Sequence, residues 1–186
     1  MGPFSGLEWP PTGEWCGRGG VSGCRRDDLP YWIHDTLWVL ELRGPIVEED
    51  VKVVGADGRL VGRVEAWDGG AALAFAADCA LRMRDLAAGE LRRAGHPDAA
   101  ARLRRARSPK AIAALAPDLA DDRVLALPRR VADLVGYAGD AAECAALGQA
   151  AAAAYVSARA HQAAGTPYLV ERGRQAAWLA VRLNLE

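Results

Sequence analysis

The chain has 186 residues, 51% hydrophobic and 25% charged, with a formal net charge of −1. That length suits one domain, or one domain with an appended arm, and is enough to bury a proper core. A near-neutral balance excludes a global attraction to nucleic acid or to an acidic membrane, and no apolar run approaches the ~20 residues that cross a bilayer.

Residues 1–28 are rich in Gly, Pro and Trp and end in Arg25-Arg26-Asp27-Asp28. They read as an irregular arm, with Trp9 and Trp15 available to dock onto the body. The opening MGPFSGLEWPPTGEW has neither a basic n-region nor an apolar h-region. It does not read as a signal peptide, and a cytoplasmic location is the expectation. Cys16 and Cys24 are separated by seven residues in this glycine-rich segment. A disulfide or a zinc site is conceivable there, but no second pair at metal-ligand spacing accompanies them. Reduced thiols, no metal and no cofactor are therefore expected. Cys79 and Cys144 fall inside helical patterns, where cysteine behaves as a small apolar residue.

Residues 29–186 read as a single domain. Residues 36–43, TLWVLELR, are β-branched and aromatic-rich and stop at the turn signal Gly44-Pro45. Residues 51–54 and 59–64 flank Ala56-Asp57-Gly58, and Asp-Gly between apolar runs is a hairpin cue because both central residues of a type I′ turn need positive φ. The expectation is a small antiparallel meander of two or three strands over about 36–64. The rival reading starts a helix near Arg59 and carries it through Trp67.

From Asp68 onward the pattern is helical, for five or six helices in all. Over 70–93, Ala72, Phe75, Ala76, Cys79, Ala80, Met83 and Leu86 form one stripe, with Asp78, Arg82, Asp85 and Arg92 opposite. Gly95-His96-Pro97 ends this helix and Pro97-Asp98 begins a short one. Ser108-Pro109 starts another as N-cap and first helical position. Pro117-Asp118 and Pro128 punctuate two further short segments. Gly139-Asp140 opens an alanine-rich helix over 141–164, with Asp140 as N-cap and Glu143 completing a capping box. So little side-chain bulk speaks for close backbone approach, so this helix is expected at the centre, with Gly148 and Ala152 in tight contact. Gly165-Thr166-Pro167 leads into a last helix over about 167–183, where Leu169, Ala176, Leu179 and Val181 supply apolar contacts and Trp178 anchors. The fold class is mainly α (α+β).

Chemistry is sparse. Asp78 and Cys79 are adjacent on a helix and so do not share a face; Asp78 instead suits an i+4 pair with Arg82. His34 and Asp35 precede the first strand in an extended segment, where neighbours point to opposite sides. His161 follows Ser157 at i+4, within touching distance, but the G-x-S-x-G elbow is absent. His34, Asp35 and His161 would line a pocket between meander and helices if the protein were an enzyme or bound a small ligand. Three scattered histidines, with His96 in a turn, make no metal motif. Gly17-Arg18-Gly19-Gly20 lacks the strand, helix and lysine of a phosphate loop. The strongest charge asymmetry is Arg102, Arg104, Arg105, Arg107 and Lys110, joined by Arg92 and Arg93. It suits an acidic protein partner or, in a further alternative, phosphates; no aromatic is interleaved for stacking on bases.

Two segments carry a resemblance. Residues 74–86, AFAADCALRMRDL, resemble the "WAADCAERVLPLF"-type helix of the alanine-rich immunity proteins of bacterial polymorphic-toxin systems. Residues 145–164, AALGQAAAAAYVSARAHQAA, resemble that family's "AAGQAAATAHV…HA" helix, with Tyr155 where the pattern has a histidine. The resemblance spans about residues 70–164. It implies a small helical protein of the bacterial cytoplasm that neutralises a toxin by binding it, without catalysis.

Overall fold

A computed structural model describes residues 20–121 and 125–185. Trp9, Trp15, Cys16 and most of the glycine-rich arm lie outside the described residues. The chain opens with strand β1 (Val21–Gly23) and a 3-10 helix (Arg26–Tyr31), followed by β2 (Trp38–Glu48) and β3 (Val53–Arg63). Among the described residues six α-helices follow: α1 (Gly69–Arg93), α2 (Pro97–Arg105), α3 (Pro109–Ala120), α4 (Arg129–Ala146), α5 (Ala150–Ala163) and α6 (Tyr168–Leu183). The architecture is mainly α with one small antiparallel sheet.

The sheet has the order β1-β3-β2. It differs from the expected meander in three ways. Val21–Gly23, inside the stretch read as an irregular arm, pairs with Gly55, Val54 and Val53 of β3. Strand β2 does not stop at Gly44-Pro45 but passes through it on an irregularity between Arg43 and Ile46, where Gly44 takes φ +83°. The hairpin turns at Glu49–Lys52, with Glu49 N–H donating to the Lys52 carbonyl at 2.9 Å, and Asp57-Gly58 lies mid-strand. Gly58 is there because Val21 and Leu42 pass so close that a Cβ would meet Val21 at 2.6 Å. Asp57 is there to pair with Arg43 across the ladder at 3.1 Å. The helix starting near Arg59 is excluded, since β3 runs to Arg63.

The core is organised by α1, which packs against each of α2 to α6. Of its expected stripe Phe75, Ala76, Cys79, Ala80 and Met83 are fully buried and Ala72 and Leu86 half-buried, while Ala87, Ala88 and Leu91 are fully buried beside them. Asp68 caps it, Oδ1 accepting from Ala71 N–H at 2.7 Å, and Gly95 at φ +89° ends it. Proline starts α2 and α3, and Ser108 Oγ caps α3 by accepting from Ala111 N–H at 3.2 Å. Helix α3 continues through Pro117 to Ala120, so Pro117 does not divide it.

The alanine-rich stretch is two helices. Gly139 and Asp140 lie inside α4, so Asp140 is no N-cap; the break falls at Gly148, φ +73°, where Gln149 N–H closes on the Cys144 carbonyl at 2.8 Å. Gly148 is exposed and Ala152 half-buried, while Ala153, Ala154, Ala158 and Ala160 are fully buried. Close approach occurs elsewhere, where a Cβ on Gly139 of α4 would lie 2.9 Å from the Ala116 methyl of α3. Gly139→Leu is therefore expected to cost about 1–3 kcal/mol by overpacking. Gly136→Ala, one turn away with nothing within 4 Å of its Cβ, should instead stabilise by up to about 1 kcal/mol through helix propensity. Urea midpoints of the two variants check this; equal shifts would contradict the α3–α4 contact.

Candidate functional site

The sequence candidates fall in three separate places. His34 and Asp35 stand on the surface, 78% and 98% exposed, with Nδ1 and Oδ2 4.0 Å apart. The His34 carbonyl accepts from Trp67 Nε1 at 2.7 Å. His161 is buried in α5. An exposed pair and a buried ring do not line one pocket. A shallow depression of the sheet lies instead at the hairpin turn, bordered by Glu49, Asp50, Val51 and Lys52.

Around His161 is a polar cluster that the sequence did not disclose. Glu171, in the first turn of α6, is fully buried together with Gln175 and Ser157. Glu171 Oε1 accepts from Arg82 Nε and Ser157 Oγ, each at 3.0 Å, and from Gln175 Nε2 at 3.4 Å. Arg82 also pairs with Asp78, the i+4 contact expected on α1. Gln175 Nε2 donates to the Ala154 carbonyl at 2.9 Å, and its Oε1 accepts from Arg172 Nη1 at 3.0 Å. The Arg172 guanidinium lies 4.5 Å from the Tyr31 ring centre and 5.2 Å from that of Tyr168, and donates to the Pro30 carbonyl at 3.2 Å. One connected network thus ties α1, α5, α6 and the 3-10 helix.

Its composition includes a serine, a histidine and a carboxylate, but not the wiring of a nucleophilic triad. His161 Nδ1 lies 2.9 Å from the Ser157 carbonyl and donates to it. The Ser157 hydroxyl donates to the Glu171 carboxylate and not to the imidazole, so the serine–histidine–acid relay of a triad is not assembled. His161 Nε2 is 3.6 Å from Glu171 Oε2, an oxygen with no hydrogen bond among the described residues. A serine with no exposed surface, bonded to a carboxylate, is arranged to join helices. The thiols follow the same pattern. Burial pushes Cys79 well above the ordinary thiol range and Cys24 up to about 11, leaving both protonated at neutral pH.

Burial of Glu171, Arg172 and Gln175 turns α6 to a different face from the one its apolar spacing predicts. Ala176 and Leu179 are buried as expected, but Leu169 is 72% and Val181 85% exposed. The inward face is polar along its first two turns, so apolar spacing alone points the wrong way. The available signal was a charged-polar trio at 171, 172 and 175 in phase with Leu179.

The basic stretch is different in character. Arg102, Arg104, Arg105, Arg107 and Lys110 are all exposed. None has an ion-pair partner among the described residues. The arginines of the sheet and of the start of the 3-10 helix contrast with them. Arg59 Nε reaches Glu41 at 2.6 Å, Arg43 reaches Asp57, and Arg25 reaches both Asp28 and Glu48. Among the described residues, positive charge is paired on the sheet and unpaired on α2, the turn that follows it and the start of α3.

Among the described residues no group of His, Cys, Asp and Glu is placed to hold a metal ion, and no helix is long and apolar enough to cross a membrane. No protein-family model matches the chain, and no curated protein or solved structure is significantly similar to it.

Proposed function

We propose that this chain is a non-catalytic binding protein that neutralises a bacterial toxin in the cytoplasm by forming a stoichiometric complex with it. The observation that carries the reading is the exposed charge at Arg102, Arg104, Arg105, Arg107 and Lys110, without an ion-pair partner among the described residues, on α2, the turn after it and the start of α3. Unpaired surface cations on a fixed backbone speed encounter with an acidic partner, and arginine is over-represented among residues that dominate interface energies. The resemblance of residues 74–86 and 145–164 to alanine-rich immunity proteins supplies the partner class.

The test is co-expression with a toxin domain encoded beside this gene. Wild type is expected to protect the host. Arg104→Glu/Arg105→Glu is expected to protect less and to co-purify less toxin, with an association rate that has lost most of its salt dependence. Equal protection by both proteins removes the stretch from the contact surface. Absence of protection by wild type removes the toxin reading.

A further inference from the structure

The basic stretch is a ridge, not a plane. Helix α2 docks through Ala99, Ala100 and Leu103, all buried. Successive helical residues are turned by about 100°, so Arg102 and Arg104 leave on opposite flanks of Leu103 and Arg105 leaves from the far side. Such small docking residues let the helix lie low on the body while its cations diverge. The turn after it is anchored at both ends. Arg84 of α1 donates from Nη1 to the Ala106 carbonyl at 3.0 Å while pairing with Asp85, and Ser108 caps α3. Arg107 is thereby displayed on a backbone held from two sides.

We infer that α2 and this turn form a preorganised convex arginine ridge that seats in a concave, carboxylate-lined surface of a protein partner, an inference that rests on the stoichiometric-binding reading above. A flat partner meets one flank of the ridge, whereas a concave one meets Arg102 and Arg104 together. Guanidinium forks match carboxylates in bidentate geometry, and a fixed backbone reduces the ordering that binding requires. Discrete carboxylates fit better than a continuous phosphate chain because the ridge has acidic margins. Asp98 is exposed in the first turn of α2, and Asp85, 56% exposed, sits on the guanidinium that holds Ala106. A polyanion tracking along the ridge meets both, while a folded partner can place neutral or basic groups there.

The probes are a labelled short peptide whose glutamates are separated by neutral residues and a labelled short DNA duplex, titrated into the intact protein by fluorescence anisotropy at low and at physiological salt. The peptide is expected to bind in a salt-dependent way. Arg104→Glu/Arg105→Glu should weaken it about tenfold or more, and the single reversals Arg102→Glu and Arg104→Glu, on opposite flanks, should each weaken it. Unchanged circular dichroism shows that the variants fold. Loss from one flank alone overturns the convex ridge. Duplex binding that is tighter than peptide binding and is lost in the same variants overturns the inference in favour of a nucleic-acid surface. These outcomes are separate from the toxin reading: a ridge that binds the peptide in a protein that gives no protection leaves the ridge and removes the toxin, and protection unaffected by reversal does the opposite.

Discussion

Glu171→Ala is expected to cost about 3–5 kcal/mol, the usual range when one partner of a buried ion pair is removed. The carboxylate is fully buried and is the common acceptor for Arg82, Ser157 and Gln175. Without it, a buried hydroxyl and a buried amide lose an acceptor, and Arg82 retains Asp78 and a contact to Cys79 Sγ at 3.5 Å. Glu171→Gln should lose less, because its amide oxygen still accepts these bonds. Urea denaturation of the three proteins gives the comparison. A Glu171→Ala midpoint equal to wild type would show that the network contributes nothing to holding α6 on α1 and α5. Loss of stability together with retained probe binding would separate this network from the basic ridge.

Phe75→Ala should be of similar size, about 3–5 kcal/mol, combining lost transfer energy with an unfilled cavity. Phe75 has no exposed surface and stands between two indoles, with ring centres 6.3 Å from Trp67 and 5.3 Å from Trp178. It joins the segment entering α1 to α6, at the meeting point of the N-terminal region and the last helix. Thermal and chemical denaturation should both report the loss, and the near-ultraviolet circular dichroism of Trp67 and Trp178 should change with it. A loss below about 1 kcal/mol would mean that neighbouring side chains collapse into the space.

Local signals were read where local physics decides. The phase of α1 follows from its own apolar spacing, and α2 and α3 begin where proline and Ser108 say they begin. Exposure at Arg102–Lys110 follows from cations set around a lone leucine. The misreadings have long-range causes. Asp57-Gly58 has the composition of a turn, but Gly58 serves the close passage of Val21 and Leu42. Gly148 was outweighed by the helix propensity of the alanines around it, although a glycine after Leu147 is a helix stop in its own right. Burial of Glu171 depends on Arg82, 89 positions away, and on Ser157, 14 positions away. No window of one helix contains those partners. The i+4 spacing of Ser157 and His161 does bring them into contact, through the ring and the serine carbonyl.

The central claim, neutralisation by stoichiometric binding, is tested most directly by titrating a purified neighbouring toxin domain with this protein while following toxin activity and heat of binding together. The account predicts that residual toxin activity falls linearly to zero at a fixed molar ratio, the same ratio at which binding heat ends. Inactivation of many toxin molecules by each molecule of this protein would contradict it, as would full inactivation with no binding heat.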